Sequence, residues 1–74
     1  MKEIFPGVTI DQDIQFGKAV IKGTRIPVEV IIGHIAAGDS VEAVMEEYRI
    51  TKDDVLASFK YAAKIISEEM VIVR

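Results

Sequence analysis

The stretch Gly17-Lys18-Ala19-Val20-Ile21-Lys22-Gly23-Thr24-Arg25-Ile26-Pro27-Val28 limits what this chain can fold into more than any other part of it. Glycine at position 23 permits a backbone turn that a side chain would resist. Ile26 precedes a proline and is pushed toward extended conformation. Pro27 has a fixed φ suited to the first helical turn and lacks only a donor that would be orphaned there. The chain is therefore expected to arrive extended, turn at Gly23 and enter a helix at Pro27 or Val28. Residues before the stretch read as short extended pieces, and residues after it read as helix.

Residues 1–26 form a β-rich arm and basic loop. Pro6-Gly7 marks a turn. Val8-Thr9-Ile10 and Ile14-Gln15-Phe16 both alternate apolar and polar, the period of a half-buried strand. Asp11-Gln12-Asp13 turns the chain between them, and Val20-Ile21 is a further extended piece. Two or three brief β segments are expected.

Residues 27–69 carry three helical patterns. In the first, to about Ala37, Val28, Ile31, Ile32, Ile35 and Ala36 fall on one apolar stripe, and Gly38 stands in the favoured place just past a helix end. Gly33 inside it either allows close approach by another backbone or is a tolerated surface glycine. His34 is off the stripe and reads as a partly exposed helical histidine, with no acid, thiol or second histidine spaced to work with it. Ser40 is the N-cap of the second helix, whose stripe is Val41, Val44, Met45 and Tyr48. Thr51-Lys52-Asp53-Asp54 resembles a capping box with Asp in place of Glu and opens the third. Its expected buried face is Val55, Leu56, Phe59, Ala62, Ala63 and Ile66, and it runs to Ser67 or Glu69. The tail Met70-Val71-Ile72-Val73-Arg74 is β-branched and apolar. As a strand it must pair with the N-terminal strands, a second subunit or a different protein, because a bare apolar edge invites aggregation. The fold class expected is mainly α: a trihelical helix-turn-helix core with short N-terminal β segments and a short C-terminal strand.

With 74 residues, the chain is one domain at most. A domain this small buries a modest fraction of its surface. It has no Cys and one His, yet half of its residues are hydrophobic. Neither a disulfide nor a metal is expected to reinforce it, which favours a homodimer that shares its core. The net charge of −3 and a pI near 5.0 argue against general nucleic-acid affinity. Lys2 is followed at once by Glu3 with no apolar run behind it, so no signal peptide is read. The longest uncharged run, Val30 to Gly38, is far shorter than the roughly 20 residues of a membrane span. A cytoplasmic protein without a membrane association is expected.

Two constellations bear on function. The second and third helices with the turn at Arg49-Ile50 have helix-turn-helix spacing. Projected at helical period, the third presents Asp53, Asp54, Ala57, Lys60, Tyr61 and Lys64 outward. Two acids at the first turn repel a phosphate-lined groove and read first as helix-capping charges. Lys60, Tyr61 and Lys64 partly redress them and are the residues placed at a duplex. Lys18, Lys22 and Arg25 are the second constellation, three cations without an acid between them, placed on a phosphate backbone or an acidic partner. The alternatives are that the two lysines are simply solvated and that Arg25 pairs with Glu29 or Glu46. No catalytic template fits: Gly17-Lys18 lacks the spacing and hydroxyl of a phosphate-binding loop, and no Ser-His-acid or paired-carboxylate arrangement stands out. No enzyme activity, cofactor or metal is expected.

The segment from Gly17 to Val28 resembles the signature of the domain of unknown function 433 family, whose usual form reads Gly-Lys-Pro-Val-Ile-Arg-Gly-Thr-Arg-Ile-Pro-Val. The likeness continues through Ala37-Gly38-Asp39-Ser40, a Glu-rich helix ending at Tyr48, and Thr51 with Tyr61-Ala62-Ala63. It departs at Ala19, where the family usually has Pro, and at Arg49, where Pro often follows the Tyr. The resemblance implies a homeodomain-like trihelical fold. It also implies an antitoxin of a type II toxin–antitoxin pair, encoded beside a PIN-like nuclease and repressing its own operator DNA. On that reading Met70, Val71, Ile72, Val73 and Arg74 bind the nuclease, adding a strand to its sheet and directing Arg74 to its carboxylates. The competing reading gives the tail to the homodimer.

Overall fold

The computed structural model describes residues 1–69. Three antiparallel strands, β1 (Lys2–Phe5), β2 (Val8–Ile10) and β3 (Val20–Ile21), are followed by three helices, α1 (Val28–Ala36), α2 (Val41–Tyr48) and α3 (Lys52–Ser67). The sheet order is β1-β2-β3. The expected strands at Val8–Ile10 and Val20–Ile21 form, and Val8 pairs with Ile21 and Thr9 with Val20. Lys2–Phe5 lacks an alternating pattern, and only its pairing with β2 makes it a strand. A register shift between Glu3 and Phe5 bends it. Gly7 closes the hairpin at φ +84, and its N–H donates to Glu3 Oε2 at 3.0 Å.

The third expected extended piece, Ile14-Gln15-Phe16, is not a strand. The Asp13 N–H donates to Asp11 Oδ1 at 2.9 Å and the Ile14 N–H to the Asp11 carbonyl at 2.9 Å. This side-chain-closed turn uses the backbone groups a strand would need. A single 3-10 turn, Gln15–Gly17, comes next, with φ of 52 at Gln15, 56 at Phe16 and 84 at Gly17. Left-handed backbone costs an L-residue roughly 1–2 kcal/mol, so two consecutive non-glycine residues hold this shape against strain.

The helix boundaries obey the local chemistry. Thr24 Oγ1 donates to the Ile21 carbonyl at 2.8 Å and accepts from the Ile26 N–H at 3.0 Å, fixing the turn that delivers the chain to α1. Pro27 stands at the N-cap with φ −63 and ψ 138, one place before the first helical residue. Gly38 at φ +105 ends the helix, and the Asp39 N–H returns to the His34 carbonyl at 3.0 Å. Ser40 Oγ accepts from the Ala43 N–H at 3.0 Å. The capping box at Thr51 is complete: Asp54 N–H to Thr51 Oγ1 at 3.1 Å and Thr51 N–H to Asp54 Oδ2 at 3.0 Å. Between α2 and α3, Arg49 is left-handed at φ 54, ψ 48, a conformation that a proline in this place is unable to adopt.

Val8, Ile21, Val28, Ile31, Val44, Ile50 and Val55 form the core. Helix α3 packs on α1, α2, β2 and β3 together, and this double engagement corrects its expected orientation. Val55, Ala57 and Ser58 are its buried residues, with Tyr61 and Ala62 half-buried, whereas Leu56, Phe59, Ala63 and Ile66 are exposed. The strand layer covers the side that carries Ala57 and Tyr61, which the helical projection turned outward. Small Ala57 admits the hairpin, and Tyr61 meets the Phe5 ring edge-on at 5.8 Å between centroids. Gly33 faces open space, so the surface-glycine alternative holds. The expected C-terminal strand at Met70–Arg74 lies outside the described residues.

Candidate functional site

The basic loop is largely neutralised by its own chain. The Lys18 ammonium pairs with Glu29 of α1, and Lys22 Nζ lies 3.0 Å from Glu3 Oε1 of β1. Lys64 pairs with Glu68 one turn on, at 3.1 Å. Exposed pairs of this kind add little to stability, but they fill the positions a phosphate would take. The Gly7 N–H and then Lys22 hold the Glu3 carboxyl below its ordinary pKa. Arg25, expected to pair with Glu29 or Glu46, forms no ion pair with a described residue. The Asp13 N–H, followed by the N-terminal ammonium and Arg25, keeps Asp11 below its ordinary pKa.

The six basic-surface residues do not converge on one hollow. Lys18 and Tyr61 line one groove, Lys60 borders a second hollow with Asp53, Asp54 and Leu56, and Arg25 borders a third with Gln15 and Phe16. Lys22 and Lys64 sit in their separate ion pairs. Met70, Val71, Ile72, Val73 and Arg74 lie outside the described residues.

Two apolar surfaces stand out on α3. Leu56 is 40% exposed and Phe59 36% exposed, and Leu56 borders the hollow between the β1–β2 hairpin and the first turns of the helix. Farther along, Ala62, Ile65 and Ile66 face Val28 and Ile32 of α1 across an open groove of about 360 Å³, with Lys18 and Glu29 among its lining residues. Ile65 and Ile66 are 43% and 64% exposed. Phe16, on the left-handed turn, is 99% exposed. The Gln15 side-chain amide fixes that turn by donating to the Arg25 carbonyl at 3.2 Å.

One polar cluster was not legible in the sequence. His34 Nδ1 stands 2.7 Å from Asp39 Oδ2, its Nε2 lies 2.7 Å from the Tyr48 hydroxyl, and Glu47 Oε2 is 3.6 Å away. The expectation that no acid works with His34 is therefore overturned. Asp39 reaches it across the turn at Gly38, and Tyr48 and Glu47 reach it because α2 folds back along α1. The only local signal was the five-residue spacing from His34 to Asp39. Partial burial, then the Glu47 carboxylate and Asp39, push the Tyr48 phenol above its ordinary pKa. Among the described residues no three His, Cys, Asp or Glu side chains cluster as metal ligands, and no helix is long and apolar enough to cross a membrane.

Similarity to known proteins runs through the same segments. Residues 8–62, from the start of β2 into α3, match the family described as "Protein of unknown function (DUF433)". No curated protein matches. Among solved structures, the X-ray crystal structure of Rv2018 from Mycobacterium tuberculosis is similar, with a TM-score of 0.64 and 27% identity over 70% of this chain. The chain spans 24% of the length of that protein's chain. Helices α1 and α2, the capped start of α3, the Gly-Thr-Arg-Ile-Pro turn and the strands β2 and β3 before it fall within the matched span, and the chain belongs to the DUF433 family.

Proposed function

We propose that this protein is a non-catalytic interaction module, the antitoxin of a type II toxin–antitoxin pair, which binds and neutralises a PIN-like nuclease. The observation that carries the reading is the surface at the N-terminal half of α3. Leu56 and Phe59 stay exposed there beside the acidic first turn of Asp53 and Asp54. A nuclease binds a polyanion and presents positive potential around its site. An acidic chain is steered to such a surface, and two large apolar side chains supply the desolvated centre that gives an interface its affinity. The self-neutralised lysines fit a protein partner better than a phosphate backbone.

The test is binding of the full chain to the product of the neighbouring reading frame, measured by calorimetry alongside that product's nuclease activity. Stoichiometric binding with loss of activity supports the reading, and Leu56→Glu should weaken it. Absence of binding by the unaltered chain sinks it. A second reading, operator binding through α2 and α3, draws on Arg25 and Lys60, neither of which forms an ion pair with a described residue. Affinity for the chain's own upstream DNA should then fall with salt, and Lys60→Ala should flatten the dependence by about one phosphate contact.

A further inference from the structure

We propose that the chain self-associates as a symmetric dimer in which Phe16 of each copy inserts into the α1–α3 groove of the other. Phe16 is 99% exposed, with no described apolar side chain covering it. Nor is it exposed through slack. The Gly17 N–H donates to the Ile14 carbonyl and the Lys18 N–H to the Gln15 carbonyl, both at 3.1 Å, and Gln15 is tied to the Arg25 carbonyl. A bulky aromatic residue at positive φ is a genuine outlier. Strain of this kind persists where surrounding structure imposes it, and it clusters at ligand clamps and switch regions. Here it holds an aromatic side chain in water, where an external partner would recover the burial.

The same chain carries a socket for that ring. The groove between α1 and α3, about 360 Å³, is walled by Ala19, Val28, Ile32, Ala62, Ile65 and Ile66. A dry apolar cavity of about 150 Å³ is enough to hold a benzene ring. Plug and socket are neighbours, because Gly17 alone separates Phe16 from Lys18, which lines the groove. A projection and a recess two residues apart along the chain suit reciprocal exchange about a twofold axis, which closes at two copies. Charge does not oppose this pairing. Arg25 borders the same hollow as Phe16, and the receiving groove carries the Lys18–Glu29 pair, so each insertion brings Arg25 to a rim where Glu29 can share a second cation. Each aromatic ring removes about 150–250 Å² from water. Two rings supply about 300–500 Å², and the rest of the roughly 1,200 Å² at the lower end of stable interfaces falls to the groove walls, Ile65 and Ile66 included, and the surface around them. This assembly uses the C-terminal half of α3 and does not depend on the neutralisation reading.

Sedimentation equilibrium of the full chain at micromolar concentration should give a dimer mass. Phe16→Ala and Ile66→Glu change exposed side chains, so both should keep the helical circular dichroism of the parent. Each should raise the dimer dissociation constant at least about tenfold, as truncation of a central anchor does. Leu56→Glu, on the other exposed part of α3, should leave it unchanged. With p-benzoylphenylalanine in place of Phe16, irradiation should join two copies, and peptide mapping should find the link within residues 18–32 or 61–66 of the second copy, the two walls of the groove. A monomer mass throughout overturns the proposal. So does a dimer that survives both Phe16→Ala and Ile66→Glu, one that Leu56→Glu dissociates, or a crosslink that maps elsewhere.

Discussion

A Cβ added to Gly7 would stand 2.9 Å from the Cβ of Ala57. The hairpin tip therefore meets α3 at the limit of approach, and this contact fixes which side of the helix the sheet covers. Gly7 also lies at φ +84. Gly7→Ala adds backbone strain to a clash that no flexible side chain can relieve, and should cost about 2 kcal/mol or more. Gly33→Ala has open space around it and should gain up to about 1 kcal/mol from helix propensity alone. Urea unfolding midpoints of the two variants should move in opposite directions.

The caps at Ser40 and Thr51 satisfy N–H groups that would otherwise be orphaned at helix starts. Ser40→Ala and Thr51→Ala should each lose about 1 kcal/mol. Thr51→Ala removes one half of a reciprocal pair, since Asp54 Oδ2 still accepts from the backbone at residue 51. Thr51→Ser, which keeps the acceptor, should restore most of the loss. Chemical denaturation of the three variants checks the order.

Acid should weaken the hairpin. Glu3 and Asp11 both have folded pKa values below the ordinary 4.5 and 3.8. For a carboxyl depressed in this way the stabilisation is present above the unfolded value and is lost as pH falls through the folded one. Stability should accordingly be flat down to about pH 5 and decline below it. Glu3→Gln should remove part of that decline, because Gly7 N–H and Lys22 then hold no ionising group. Denaturant titrations across acid pH measure the slope.

Alkali should act on the α1–α2 contact. The Tyr48 pKa is raised above 10.0, so the neutral phenol is the form the fold favours. That stabilisation is complete below the unfolded value and disappears as pH rises through the folded one. Tyr48→Phe should remove its part of the alkaline loss and, by removing the partner 2.7 Å from His34 Nε2, lower the stability at neutral pH. An absorbance titration of the phenolate, with Tyr61→Phe as the background to isolate Tyr48, checks the direction of the shift.

The sequence by itself determined where the helices start and stop. Ser40, Thr51 with Asp54, Gly38 and the Gly23-to-Pro27 turn act through hydrogen bonds and φ restrictions within a few residues, so their outcome is written locally. The strands at Val8–Ile10 and Val20–Ile21 were legible for the same reason. Ile14–Phe16 failed to form a strand for a local reason too, since Asp11 captured the backbone two and three residues on, which the apolar–polar alternation did not reveal. Tertiary structure decided the rest. Lys2–Phe5 became a strand because β2 offered it an edge. Helical periodicity in α3 showed that apolar residues recur, but not which ones a sheet arriving at Ala57 would cover, and so Leu56, Phe59 and Ile66 were left in water. The acids beside Lys18 and Lys22, and the cluster around His34, join residues 11–19 and 5–14 positions apart. Such pairings depend on how finished elements dock, where the free energy belongs to the packed layers and not to any stretch of chain.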